Sequence, residues 1–239
     1  MKINHTQLEE LKSFRVVTNK HYSKLMPNYL FENSDLLFSR LHKRIIAPND
    51  KVLASMWMRR YAFLLTAQLF MYSKYRLYWT GLMTEINVYD QYQNGRWLPT
   101  FNLTEDQWEL SFNAEVTLQH MLYNNGFQMV QLLHEKTDIS RRILWENIWS
   151  YIVWMYSNKL LSNPLDEKKA RHDLDLLLSH EVWRGIEGYS PFKQFVGDQQ
   201  IDDLLNQFER QTCCLYLKTP DSGGTPCPYC PKLKVNRSS

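Results

Sequence analysis

From Asp50 to about Tyr78 the sequence keeps a helical pattern almost unbroken, and Met56, Ala62, Phe63, Ala67, Phe70 and Met71 are spread around it. A helix that is apolar over much of its surface has to be enclosed by the rest of the chain. The surrounding sequence supplies further helices. One is expected over His5 to Val17, ending before the Pro27 region. A second starts at Ser34, read as its N-cap, carries Leu36, Leu37, Leu41 and Ile45, and is stopped by Pro48. The run Thr104-Glu105-Asp106-Gln107 has the form of a capping box, opening a helical pattern that extends with interruptions to about Lys136. Asp138 to Leu161, Pro164 to His180 and Asp198 to Gln211 read as the remaining helices, with proline at a first-turn position in the second of them.

One stretch breaks the pattern. Ile86, Val88, Tyr89 and Tyr92 precede Asn94-Gly95, and Trp97, Leu98, Phe101 and Leu103 follow. Asn-Gly between β-favouring runs predicts a hairpin, because both residues tolerate positive φ. Pro99 is expected to confine the second strand to an edge. Only 8 Gly and 9 Pro occur in 239 residues, and four of the prolines follow Lys218. The fold class is therefore mainly α: a helical domain with one small β-hairpin and a short C-terminal loop segment of different character. The expected organisation is a helical body over 1–209, a cysteine-bearing segment over 210–231 and a polar tail over 232–239.

Composition excludes several classes. Aromatic residues make up 14% of the chain, too many for a disordered protein. A net charge of +3 is too mild for a general nucleic-acid binder. The longest apolar-leaning runs without charge, Tyr61 to Ser73 and Asn147 to Asn158, fall short of the ~20 residues a bilayer span needs. The start, Met1-Lys2-Ile3-Asn4-His5, lacks the apolar core of a secretory signal, so a cytoplasmic location is expected.

All four cysteines, Cys213, Cys214, Cys227 and Cys230, fall in the C-terminal segment. In a reducing compartment they read as metal ligands or redox groups ahead of structural disulfides. Cys227 and Cys230 form a C-x-x-C pair, whose spacing lets two thiolates meet at one metal centre. Adjacent Cys213 and Cys214 would point to opposite faces of an extended chain, so they converge only through a turned backbone. Gly223-Gly224 offers a place for the segment to double back. From spacing and ligand softness, three readings stand: an iron–sulfur cluster, a structural zinc site with four cysteine ligands, and redox thiols or disulfides.

The run Arg210-Gln211-Thr212-Cys213-Cys214-Leu215-Tyr216-Leu217, a glycine-containing turn, and Cys227-Pro228-Tyr229-Cys230-Pro231 together resemble the C-terminus of the FhuF-like ferric-siderophore reductases. That family carries C-C-x10-C-x2-C; here the middle spacer is twelve residues, Leu215 to Pro226, which enlarges the turn from Pro220 to Pro226. The match covers residues 210 to 231. It implies a [2Fe–2S] cluster ligated by Cys213, Cys214, Cys227 and Cys230. It also implies one-electron reduction of siderophore-bound Fe(III), with hydroxamate or citrate–hydroxamate complexes as substrates. Residues 1–209 would then be the substrate-binding domain, with no catalytic acid or base. The alternative is a non-catalytic helical binding protein with a zinc-pinned loop.

Other residues bear on the same chemistry. Arg210, Lys218, Lys232, Lys234 and Arg237 face only Asp221 from position 210 onward, a basic excess suited to an anionic partner. Arg210 and Lys218 are the candidate substrate-binding residues. Arg59-Arg60 and Arg141-Arg142 read as solvated helix faces ahead of an anion pocket. The seven histidines show no ligand spacing, and Trp145, Trp149, Trp154, Tyr151 and Tyr156 read as core. Without a G-x-G-x-x-G fingerprint, reducing equivalents would come from a separate donor such as a ferredoxin or flavin reductase.

Overall fold

The computed structural model describes residues 2–18, 31, 33–162, 164–231 and 233. The Pro27 region, Lys232, Lys234 and Arg237, and with them most of the expected tail, lie outside the described residues. In chain order the elements are α1 (His5–Ser13), β1 (Val16–Val17), α2 (Ser34–His42), α3 (Asp50–Tyr75), β2 (Leu77–Trp79), β3 (Asn87–Tyr89), β4 (Tyr92–Gln93), β5 (Arg96–Trp97), β6 (Thr100–Asn102) and β7 (Trp108–Leu110). There follow α4 (Ala114–Leu122), α5 (Gln128–Thr137), α6 (Arg141–Met155), α7 (Pro164–Leu178), α8 (Lys193–Val196) and α9 (Ile201–Asn206). The protein is mainly α. None of its described helices is long and apolar enough to cross a membrane.

The central element is α3, 26 residues and hence about 39 Å long at 1.5 Å per residue. Asn49 caps it by accepting from the Val52 N–H at 3.1 Å. Buried residues occur on every side of it, from Val52 through Trp57 and Tyr61 to Phe70. Its neighbours include α1, α2, α4, α5, α6 and α7, with α6 its principal packing partner. The helix stops three residues earlier than expected. Arg76 takes a left-handed conformation, φ 58°, and its N–H closes on Tyr72 O at 2.8 Å. Leu77 to Trp79 then leave as a strand.

At two further places short strands replace predicted helix, while the helix expected over Asp198 to Gln211 shrinks to Ile201–Asn206 between loops. The first helix ends at Ser13, and Arg15 at φ 57° turns the chain into β1. The Thr104 run closes only one 3-10 turn, Glu105–Gln107, before β7 pairs antiparallel with β2. The helix proper begins ten residues later, at Ala114, capped by Asn113. Trp108 is fully buried while Glu109 and Leu110 are exposed, so the pairing partner on β2 overrode the local cap signal. In α2, Asn33 rather than Ser34 supplies the capping oxygen.

Asn94 and Gly95 do close a hairpin, at φ 50° and 74°, between β4 and β5. Pro99 does not mark an edge, however. It falls in the break between β5 and β6, and β6 is the middle strand of a three-stranded sheet, parallel to β1 and antiparallel to β3. Because the proline sits between two ladders, its missing N–H costs no strand bond. Among the described residues there are thus three small sheets where one hairpin was expected.

Two π turns interrupt the helices, Tyr123–Phe127 between α4 and α5, and Tyr156–Leu160 after α6. In the first, Asn125 is buried and donates to Gln68 Oε1 on α3 at 3.2 Å. The C-terminal helix is short, Ile201–Asn206. Beyond it, from Gln207 to Pro231, the chain runs without α-helix across α3 and α6, and that crossing positions the cysteines.

Candidate metal centre and cavity

The cysteine segment is fixed to the helical body by a carboxylate. Glu146, fully buried on α6, accepts from the Gln211 N–H at 2.5 Å, the Thr212 N–H at 2.8 Å, the Thr212 hydroxyl, and Arg210 Nη2 at 3.2 Å. Arg210 spends its remaining donors on Ser150 Oγ, Thr212 O and Glu146 O. A buried charge needs both an opposite charge and hydrogen bonds, and this pair has both. Arg210, an expected substrate-binding residue, is thus engaged in holding the chain just before Cys213. Lys218 lies exposed on a single 3-10 turn, Tyr216–Lys218.

A second anchor acts one residue later. Ser55 Oγ on α3 donates to the Cys214 carbonyl at 2.7 Å, and Asn147 on α6 in turn donates to Ser55 Oγ at 3.0 Å. The backbone then turns sharply, with Leu215 at φ 62°. A left-handed non-glycine residue costs ~1–2 kcal/mol. The turn falls one residue past the adjacent cysteines and sends the chain away from Cys214. Gly223 and Gly224, at φ 55° and 77°, send the segment back toward α3, where the Cys230 N–H closes on Cys227 O at 3.0 Å. Tyr229 O accepts from the Arg210 N–H at 3.1 Å and ties the two arms together.

The outcome is a small apolar cluster separate from the main core, made of buried Cys214, Cys227 and Cys230 with Tyr216 and Leu233 against it. Cys213 is half-buried, and none of the four is in a disulfide. The sulfurs of Cys214 and Cys227 are 3.6 Å apart. Two thiolates about 2.3 Å from one metal at the tetrahedral angle stand about 3.8 Å apart, so this pair has the separation of two ligands on one metal. Among the described residues, no group of three or more His, Cys, Asp and Glu side chains has the arrangement of a metal site. A binuclear cluster asks each of its irons for only two thiolates.

Arg59 stands over this pair. Its Nη1 donates to Cys214 Sγ at 3.6 Å, and its guanidinium lies 5.2 Å from the centre of the Tyr216 ring. Burial works against the Arg59 charge, but Tyr151, Cys214 and Cys227 outweigh it and hold its pKa raised. The Cys214 thiol is pushed down to about 5, first by its contact with Cys227, with Arg59 and the Tyr216 N–H assisting against burial. Cys227 is pushed up by the same contact and by burial.

Two cavities meet at this point. A smaller one of about 250 Å3 lies against Cys214, Ser150, Trp154 and Arg210. A larger one of about 590 Å3 opens past Cys227, Pro226 and Pro228 and is lined by Arg15, Arg60 and Arg96. Arg59, Phe63, Tyr151 and Cys227 border both. No protein-family model matches the chain, and no curated protein matches it.

The cavity walls contain residues that the sequence reading assigned elsewhere. Arg59 and Arg60 are half-buried wall residues, not a solvated face, because the C-terminal segment covers that side of α3. Tyr151 and Trp154 are half-buried at the cavities, while Trp145, Trp149 and Tyr156 are core as expected. Arg141 and Arg142 face other partners: Arg141 pairs with Glu187 at 2.7 Å, and Arg142 donates to Gln211. The Arg-Arg pair on an otherwise apolar helix was the one available signal, since a fully enclosed helix has no free face for two charges.

Proposed function

We propose that this protein is a cytoplasmic ferric-siderophore reductase that holds a [2Fe–2S] cluster through Cys213, Cys214, Cys227 and Cys230. The observation that carries the reading is the Cys214–Cys227 pair, 3.6 Å apart at the junction of two cavities, beneath a guanidinium. The residues fit the group in kind: four soft sulfur donors in one segment, three of them buried together, with a cation positioned against their negative charge. When bound, a cluster held by four thiolates supplies single electrons at potentials of about −700 to +450 mV, according to charge, hydrogen bonding and exposure.

The chain's own part is binding and exclusion of water. Glu146 and Ser55 fix the backbone on either side of Cys213, so the first two thiols are held in place by α6 and α3. Arg59 offsets thiolate charge at Cys214. Phe63 and Tyr151, with ring centres 4.4 Å apart, form an aromatic wall beside Cys227 in both cavities. That cavity lies in the size range of small-molecule sites, which is roughly 300–1,000 Å3. Siderophores grip hard Fe(III) through oxygen donors that hold Fe(II) far more weakly, so one added electron releases the metal. No proton transfer is required of the protein, and no catalytic acid or base is assigned. The electrons enter from a separate donor protein such as a ferredoxin or a flavin reductase.

The test is metal and sulfide analysis of anaerobically purified protein, with absorption and EPR spectra before and after dithionite. Iron and sulfide in a two-to-two ratio, bleaching on reduction, and reoxidation of the reduced protein by a ferric siderophore are expected. Stoichiometric zinc with no sulfide, reproduced from iron-replete cells, would sink the reading and leave a zinc-pinned binding protein.

A further inference from the structure

Away from the larger cavity, four half-buried or buried arginines are each paired with an acid. Arg44 meets Asp90 at 2.5 Å, Arg76 meets Asp173 at 2.6 Å, Arg141 meets Glu187 at 2.7 Å, and Arg210 meets Glu146 at 3.2 Å. On the wall of the larger cavity, half-buried Arg15, Arg59 and Arg60 and exposed Arg96 are not paired in this way. Among the described residues, none of Arg15, Arg59, Arg60 and Arg96 forms an ion pair, and the one carboxylate on that wall is the exposed Asp221.

Arg59 and Arg60 come from α3, Arg15 from the turn after α1 and Arg96 from β5, and all but Arg59 are held by neutral groups. Arg15, on the left-handed turn after α1, lies 4.8 Å over the Phe63 ring. Arg60 donates to Trp97 O and Met56 O, both at 2.8 Å. Arg96, beside the β4–β5 hairpin turn, donates to Asp221 O at 3.2 Å. Arg59 turns toward Cys214. Burial and the neighbouring Arg59 charge bring the Arg60 pKa down to about 10, the mark of a cation short of negative partners. Partly buried guanidinia without counter-charge are unfavourable unless a ligand brings that charge.

We infer that the larger cavity takes an anionic, carboxylate-bearing iron chelate of the citrate–hydroxamate type, gripped by Arg15, Arg60 and Arg96, in preference to a neutral tris-hydroxamate complex. The identity of the ligand as an iron chelate rests on the reductase reading; its charge rests on the arginines alone. Three singly charged hydroxamates neutralise Fe(III) and leave nothing for the guanidinia to pair with. A citrate-centred chelate keeps carboxylate oxygens, which a planar guanidinium binds through two parallel hydrogen bonds. Phe63 and Leu98 on the same wall provide apolar surface for the hydrocarbon arms.

Gallium(III) complexes test this without any electron transfer, because gallium has the charge and size of Fe(III) and is not reduced. Titration calorimetry on the full chain compares a gallium citrate–dihydroxamate complex with a gallium tris-hydroxamate complex, at low and high salt. The anionic complex is expected to bind about tenfold tighter or more, with the advantage shrinking as salt rises. Arg60→Gln and Arg15→Gln, measured separately so that one poorly folded variant does not decide the result, are each expected to remove most of that advantage. Equal or tighter binding of the neutral complex, or a preference that survives both substitutions, overturns the inference. A protein that carries a cluster yet prefers the neutral complex keeps the reductase reading and loses this one. A zinc protein that still prefers the anionic complex through Arg15 and Arg60 does the reverse.

Discussion

Replacing Glu146 by Gln tests whether the cysteine segment is docked by a charge or merely lies against the body. The side chain keeps its volume, but one acceptor oxygen becomes an NH2 group. Whichever way the amide turns, it points a donor either at the Gln211 N–H or at the Thr212 and Arg210 donors. Arg210, only 5% exposed, is left with neutral acceptors alone. Removing one partner of a buried ion pair costs about 3–5 kcal/mol. Against a total stability of roughly 5–15 kcal/mol, that is a large fraction. At about 2–4 °C per kcal/mol for a chain of this size, the thermal midpoint should fall by roughly 6–20 °C. Circular dichroism melts of the metal-free protein give the midpoint, and iron and sulfide analysis after anaerobic reconstitution gives the loading. Both should drop, while the helical signal at room temperature stays unchanged. The double variant Glu146→Gln with Arg210→Gln should melt higher than the single, because the unpaired buried cation is gone. A single variant that melts and loads like the parent, or a double variant whose losses simply add, would refute the docking role.

Two further outcomes follow from the cysteine pair and from the first π turn. In the metal-free protein, thiolate ultraviolet absorbance should appear as pH rises through about 5, far below the ordinary thiol value of 9.0, and Cys227→Ser or Arg59→Gln should move that midpoint upward. The sign for stability is that of a depressed acid: the Cys214 contribution is full above 9.0 and is lost as pH falls through about 5, while the raised Cys227 acts in the opposite sense on the alkaline side. Gly126→Ala, in the π turn before α5, would set a methyl 3.2 Å from Leu65 Cδ2 and from the Trp145 ring. That crowding should cost about 1–3 kcal/mol, read as a lower melting midpoint with unchanged metal content.

The long helix was legible because its signal is local: an apolar helical pattern almost unbroken along one segment. The hairpin at Asn94-Gly95 was legible for the same reason. What the sequence hid depends on distant partners. Trp108 to Leu110 looked like the start of a helix until Leu77 to Trp79, about thirty residues earlier, offered a ladder. Val16 and Val17 are a strand only because Phe101 and Asn102 lie beside them. The four cysteines could be named from spacing and composition. Their anchors could not, since Glu146, Ser55 and Asn147 sit on helices far away in sequence and look like ordinary interior polar residues. Arg60 was visible as a residue but not as a wall, because the surface that covers it is built from the far end of the chain.

The separate apolar cluster around Cys214, Cys227 and Cys230 bears on the order in which this molecule is made. Every group that receives the cysteine segment, from Ser55 and Arg59 on α3 to Glu146 and Asn147 on α6, precedes it in the chain. Domains fold from the N-terminal side during synthesis. The helical body and its docking floor are therefore synthesised before the first thiol. On the proposed cluster reading, delivery of iron and sulfide would be a final step performed on a helical body whose receiving groups are already made.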